Sequence, residues 1–262
     1  MSLRIAVLGA SGRMGRALLE AIAADDELVL AGALVRPGNK LVGQLAGLET
    51  AYTDQPVSAL DNAEIAIDFS LPSAFNSNLS ACLEARCPIV IGMTGLSTAQ
   101  TTRLRDVAHD LPIVYSPNMS IGVNLCFRLT ELAAAALTTD YDAEIIDQHH
   151  RYKRDVPSGT ALHFGELIAA ARGQTFRDVS DFRAPGKDRQ RHRGEIGFSS
   201  VRAGAEPGMH TLLFSSENET VEIRHRAMHR GAFASGAILA ARWLQRRPVG
   251  LYSMSDVLGF QA

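Results

Sequence analysis

Cysteine is scarce in this chain: three residues in 262, Cys82, Cys87 and Cys126, with no Cys-x-x-Cys pair among them. With no apolar secretory leader ahead of them, a reducing cytoplasm is the expected compartment. Long apolar runs are also missing. No uninterrupted stretch reaches the roughly 20 residues that span a bilayer, and the opening "LRIAVLGA" runs straight into glycines, so no membrane association is expected. A large excess of either charge is absent as well. The net charge of -2 argues against a dedicated nucleic-acid binder, whose field would be broadly positive. There is no internal repeat and no low-complexity tract. What remains is 46% apolar and 21% charged residues, ordinary for a soluble globular protein, and enough length for one large or two modest domains.

The first half alternates strand and helix. Arg4–Gly9, Leu28–Val35, Glu64–Ser70, Pro88–Gly95 and Pro112–Asn118 read as strands; Arg13–Ala24, Ser73–Arg86 and Ser97–His109 read as helices. Short β-branched and aliphatic runs between helices of this length predict right-handed crossovers and a doubly wound parallel sheet. Past Met119 the pattern changes. A helix over Gly122–Leu137, a strand over Tyr141–His150 and a helix over Ser158–Arg172 precede three strand-like runs, "EIGFSSVRAG", "MHTLLFSS" and "ETVEIRHRA". Strands in succession predict a second, α+β domain with one covered sheet face. A last helix, Gly231–Gln245, is placed back on the first domain.

"GASGRMG" sets Gly9, Gly12 and Gly15 at the first strand–helix junction. There glycines permit a tight turn and close backbone approach, and free helix amides suit a pyrophosphate. A dinucleotide that uses its ribose hydroxyls needs an acid after the second strand; this chain has Val35 and then Arg36. The guanidinium favours a 2′-phosphate, hence NADPH over NADH, with a solvated loop arginine as the plain alternative. "GMTG" (Gly92–Gly95) and "SPNMS" (Ser116–Ser120) follow later strands, where such a sheet binds its ligand, or are ordinary turns.

"DQHHRYKRDVPSGTA" (Asp147–Ala161) is the most unusual stretch. In extended chain His149, Arg151 and Lys153 share one side, and His150 and Tyr152 the other. Ser158 is placed to cap a helix starting Gly159-Thr160, whose N-terminus suits a carboxylate. Lys153 offers a point charge or a proton, and histidine titrates near neutrality. A solvated basic loop competes with this reading. A metal site does so less well, since adjacent strand histidines point apart and no cysteine cluster joins them. A nucleic-acid patch lacks aromatic interleaving beyond Tyr152. The dinucleotide domain tips the balance to a pocket for a carboxylated small molecule.

These blocks, with "DFS", "SPNMSIGVN" and "IGFSSVRAG", resemble in order and spacing the dihydrodipicolinate reductases of lysine and diaminopimelate biosynthesis, over essentially the whole chain. The histidine-to-threonine block is much more specific than the glycine loop. The resemblance implies a nicotinamide-binding domain over 1–120 and 230–262, and a substrate-binding and tetramerisation domain over 121–229. It implies reduction of a cyclic dicarboxylate to tetrahydrodipicolinate with NADPH or NADH, in a homotetramer with no metal. Carried over, His149 is the proton donor or relay, and Lys153 a second acid that pairs with a substrate carboxylate. His150, Gly159 and Thr160 bind substrate. Gly9, Ala10, Ser11, Gly12, Arg13 and Met14 line the cofactor, as do Gly92, Met93 and Thr94, and Pro117, Asn118, Met119 and Ser120. Arg230 and Phe233 resemble contacts near the cofactor and hinge. Two departures stand out: Val35 precedes Arg36 where many members carry an acid, and Leu71 follows Ser70 where a basic residue is common. The alternatives are another NADP-dependent reductase of a small carboxylated imine or aldehyde, and an NADP(H)-sensing regulator without turnover.

Overall fold

The computed structural model describes residues 2–182 and 189–260. The chain divides into two compact units, Met1–Ile121 with Arg230–Ala262, and Gly122–His229. In the first, β1 (Leu3–Leu8) leads to α1 (Arg13–Ala23), β2 (Leu28–Leu34), β3 (Tyr52–Thr53) and α2 (Pro56–Leu60). Then follow β4 (Ile65–Asp68), α3 (Pro72–Glu84), β5 (Ile89–Ile91), α4 (Thr98–Val107) and β6 (Pro112–Tyr115). α5 (Ile121–Ala136) opens the second unit, with β7 (Asp142–His149), α6 (Gly159–Ala171), α7 (Phe176–Val179), β8 (Ser180–Asp181), β9 (Ile196–Arg202), β10 (Gly208–Ser215) and β11 (Thr220–Ala227). The chain then rejoins the first unit as α8 (Gly231–Leu244), β12 (Gly250–Tyr252) and α9 (Met254–Val257).

The first unit is a parallel sheet in the order β12-β6-β5-β4-β1-β2-β3. Its strands read as unbroken apolar runs because both faces are covered. Alternation then sorts their side chains into two layers. Ile5 and Val7 join a core with Leu18 and Ile22 of α1 and Ala234, Ala237 and Ala241 of α8. Ala6 and Leu8 face the opposite layer, with Phe75 and Leu79 of α3 and Leu104 of α4. The small residues of α8 allow close packing: a Cβ on Gly236 would sit 1.7 Å from the Met119 carbonyl oxygen. The strand order reverses beside β1, which pairs with β2 on one side and β4 on the other. Such a switch point opens a crevice at the carboxyl ends of the strands.

The second unit is a mixed sheet, β11-β10-β7-β9-β8, with β7 antiparallel to β10 and parallel to β9. One face carries the core: Ala143 and Ile145 of β7, Leu212 and Phe214 of β10, and Phe198 of β9 meet Phe164 and Ile168 of α6. Phe164 is fully buried, and truncating it to alanine would cost about 3–5 kcal/mol. Among the described residues, no helix is long and apolar enough to cross a membrane.

The doubly wound sheet and the α+β second unit match the expectations from sequence. Two local differences matter. The strand expected to run through His150 ends at His149, and β3, α2, α7, β8, β12 and α9, each of two to five residues, are additional.

Candidate functional site

In the first unit the glycine loop is shaped by what its residues lack. Gly9 has φ +83°, and a Cβ there would lie 2.9 Å from the Ser70 backbone. A Cβ on Gly15 would lie 2.3 Å from the Gly9 carbonyl oxygen, so the loop and the start of α1 close only around glycine. Gly12 caps α1, with no side-chain cap and no acidic residue in the first turn, leaving the amide end open to an anion. Ser11 accepts from Asn39 Nδ2 at 3.1 Å, which ties the glycine loop to the segment after β2, where Arg36 is exposed.

The other strand ends lie along the same edge, as a parallel sheet requires. Asp68, buried at the end of β4, accepts from the Ser70 amide at 2.7 Å and from Asn78 Nδ2 at 2.9 Å. Burial pushes its carboxyl up from the usual range, against these bonds. It fixes the "DFS" turn so that the Phe69 ring covers Gly92, whose Cβ would be 2.3 Å from that ring. Thr94 and Pro117 are exposed, Asn118 is half-buried, and the Asn118 side chain accepts from the Ser120 amide at 3.0 Å. Ala10, Met93, Met119 and Ser120 are buried, so those three apolar side chains belong to the core, and only their main chain is left to meet a ligand. Arg230, at the start of α8, has its guanidinium pushed down by burial and by the like charge of Arg13. The two cations add positive charge to this edge.

The second unit gathers side chains instead. On β7 the face that begins with Ala143 and Ile145 continues as Asp147 and His149, so the apolar layer gives way to a polar cluster at the strand's end. Asp147 is fully buried at its centre. Its Oδ1 lies 2.8 Å from His149 Nδ1 and 3.5 Å from His210 Nε2. Its Oδ2 accepts from Arg202 Nη2 at 2.7 Å, from the Ser158 amide at 2.9 Å and from Ser200 Oγ at 3.2 Å. The register makes this gathering, since His210 and Ser200 stand directly opposite Asp147, and Arg202 opposite His149. Burial pushes the Asp147 carboxyl up, but His149, His210, Arg202 and Ser158 together hold it well below the usual carboxylate range. Burial pushes the His210 imidazole down, against the pull of Asp147 and with the charges of His149 and Lys153.

Ser158 caps α6 as expected, its Oγ accepting from the Ala161 amide at 3.2 Å and lying 3.1 Å from His210 Nε2. Gly159, at the first turn, is exposed, and a Cβ there would meet nothing within 4 Å. The expected wall of His149, Arg151 and Lys153 does not form. The chain turns after His149: the Lys153 amide donates to the His150 carbonyl at 3.1 Å, and the Tyr152 amide to His150 Nδ1 at 3.2 Å. Alternation applies only while the strand continues, so Arg151 and Tyr152 are exposed. Lys153 is only partly exposed, with Nζ 2.9 Å from Asp155 Oδ2.

Arg202 and His210 are absent from the expected site residues. Their signal in the sequence was a polar side chain on the inward face of a strand otherwise apolar there, as in "GMHTLLF". Asp147, His149 and His210 bring ligand-type atoms within 4.8 Å of one another. Arg202 Nη2, 2.7 Å from Asp147 Oδ2, already supplies positive charge to the carboxylate, while Asp147 Oδ1 and His149 Nδ1 make an ion-pair contact without an aligned hydrogen bond.

The chain matches two family models in succession: "Dihydrodipicolinate reductase, N-terminus" over residues 3–119 and "Dihydrodipicolinate reductase, C-terminus" over 122–258. It is 47% identical to a 4-hydroxy-tetrahydrodipicolinate reductase of Thiobacillus denitrificans, covering 100% of each chain. It is 46% identical to one of Nitrosomonas europaea, covering 99% of each. Among solved structures, a dipicolinate-bound dihydrodipicolinate reductase from Paenisporosarcina sp. TG-14 superposes with a TM-score of 0.79 at 23% identity, covering 98% of this chain and 99% of that one. With both halves matched and near relatives aligned end to end, the chain belongs to the dihydrodipicolinate reductase family.

Proposed function

We propose the following division of labour within the NAD(P)H-dependent reduction of 4-hydroxy-tetrahydrodipicolinate that serves lysine and diaminopimelate biosynthesis. The first unit holds the dinucleotide. The close contacts at Gly9 and Gly15 and the open amide end of α1 support a pyrophosphate seat formed by Gly9–Met14. Gly92–Thr94 and Pro117–Ser120 serve the nicotinamide end, and exposed Arg36 takes the 2′-phosphate, making NADPH the preferred cofactor and NADH a poorer one. When bound, the nicotinamide supplies the hydride.

The second unit holds the cyclic dicarboxylate. One observation carries this reading: the carboxylate that touches His149 also fixes the capping residue of α6, so an imidazole and the first turn of α6, with Gly159 exposed, stand at one place. Lys153, His150 and the Gly159–Thr160 amides position the substrate's carboxylates, where electrostatic positioning contributes most. Lys153 exchanges Asp155 for a substrate carboxylate as it does so. His149, with Lys153 as a second acid, supplies the proton that completes reduction. The enzyme works as a cytoplasmic homotetramer.

NADPH and NADH oxidation, followed at their nicotinamide absorbance with enzymatically generated substrate, tests the cofactor assignment. A higher kcat/KM with NADPH is expected, and equal values would refute the role given to Arg36. Oxidation that requires a small aldehyde or another imine, but not this dicarboxylate, would overturn the substrate reading.

A further inference from the structure

We propose that Asp147 is a positioning residue for the reduction: one buried carboxylate sets both the ring of His149 and the N-terminus of α6. The inference rests on His149 serving as the proton donor, and the experiment below separates the two.

Packing does not ask for an acid at this place. The same face of β7 carries Ala143 and Ile145, and the neighbouring α6 offers Phe164. Burying a carboxylate there costs desolvation that only its partners offset, and apolar replacements of such clusters are often neutral or stabilising. What the carboxylate does is directional. A charged carboxylate only accepts, and with His149 Nδ1 2.8 Å from Oδ1, close but not aligned as a hydrogen bond, its field favours the proton on that nitrogen. Nε2 is then the nitrogen that exchanges a proton with substrate. The Gly208 main chain packs close to this nitrogen: a Cβ there would lie 2.9 Å from His149 Nε2, so only glycine fits against the ring in this position. The other carboxylate oxygen accepts from the Ser158 amide and from Arg202, so the imidazole and the capped end of α6 share one anchor.

The charged and titratable groups around His149 are Asp147 on its own strand, His210 from β10, Arg202 from β9 with its guanidinium turned onto Asp147, and Lys153 from the following turn, whose charge reaches His210. Asp147→Asn reverses the direction of the key contact. Arg202 and Ser158 still require an acceptor, so the carboxamide turns its NH2 toward His149 and obliges Nδ1 to accept. The ring then holds its proton on the wrong nitrogen, and the protonated ring loses its counter-charge.

The test is a double-mutant cycle of Asp147→Asn and His149→Ala, read by kcat, KM for the dicarboxylate, NADPH affinity and the pH dependence of kcat. Asp147→Asn is expected to lower kcat about 100-fold, within the range of general acid catalysis. KM should move only a few-fold and NADPH affinity not at all. The alkaline fall of kcat should move to lower pH, and Asp147→Glu should restore most of the rate. In the His149→Ala background Asp147→Asn should cost nothing further. An impaired His149→Ala enzyme that loses a further 100-fold on Asp147→Asn would overturn this inference alone. A fully active His149→Ala enzyme would overturn the proton-donor reading and this inference with it. Should Asp147→Asn fail to fold, 15N spectra of the unmutated protein decide: neutral His149 protonated at Nδ1 supports the inference, and at Nε2 refutes it.

Discussion

At the end of β1, Gly9 and Gly15 are places where any side chain would clash, and the proposed ligand seat is main chain. At the end of β7, Asp147 and His149 work through their side chains, and neither would hold its place without Ser158, Arg202 and His210 from three other elements. A main-chain seat is local: its geometry is written in a few consecutive residues, and it tolerates no added atom. A side-chain cluster is assembled by strand register, tolerates conservative change, and answers to pH. The two regions should therefore fail in different ways.

Gly15→Ala gives the largest effect expected of a single added methyl. With its Cβ 2.3 Å from the Gly9 carbonyl oxygen, the loop must shift. Overpacking of this kind costs about 1–3 kcal/mol in stability. NADPH affinity, measured by fluorescence titration, should fall at least in proportion, while dipicolinate binding stays unchanged. Unchanged NADPH affinity would show that the loop is packing only.

Acid should strike the second unit. His210 is held below the ordinary histidine range by burial, so from about pH 6.5 downward the unfolded chain takes up a proton that the folded chain refuses. Asp147 is held low by its partners, so its contribution is complete above about pH 4 and is lost as pH falls further. Both signs agree: stability falls toward acid, at up to about 1.4 kcal/mol per pH unit for each proton. Urea unfolding at pH 7.5, 6 and 5 should show the midpoint falling, and less so in His210→Gln. A midpoint flat with pH would contradict the cluster's ionisation.

Arg36→Ala should raise KM for NADPH about tenfold and leave that for NADH unchanged, as loss of a charge-assisted phosphate contact requires. An equal effect on both cofactors would remove the 2′-phosphate from the account. The smallest effect expected is that of Asp155→Asn. Freed from an exposed carboxylate that holds it at 2.9 Å, Lys153 should bind dipicolinate a few-fold more tightly, since such pairs contribute about 0.2–1 kcal/mol. Weaker binding would mean that Asp155 orients Lys153 rather than competing for it.

The same contrast explains what was legible in the sequence. The parallel strands announced themselves because burial on both faces writes continuous apolar runs, as in "RIAVLG" and "IAID". Elements such as β3 and α9 are too short to complete a period, so they left no pattern. The glycine loop was readable in one glance at seven residues. Of the second site, His149, His150, Lys153, the Ser158 cap and Gly159–Thr160 were readable as candidates, because they lie in one stretch. Arg202 and His210 come from β9 and β10, and only the register opposite β7 reveals them. The turn after His149 leaves no mark in the alternation, because alternation orders side chains only up to the strand's last residue.

The central claim is that binding of the dinucleotide and chemistry on the dicarboxylate depend on different residues of one chain. Lys153→Ala tests it most directly, with turnover of the enzymatically generated substrate and NADPH affinity measured on the same preparation. The account predicts a kcat lower by about 100-fold or more, with unchanged NADPH affinity. A Lys153→Ala enzyme that turns over at the unmutated rate would contradict it.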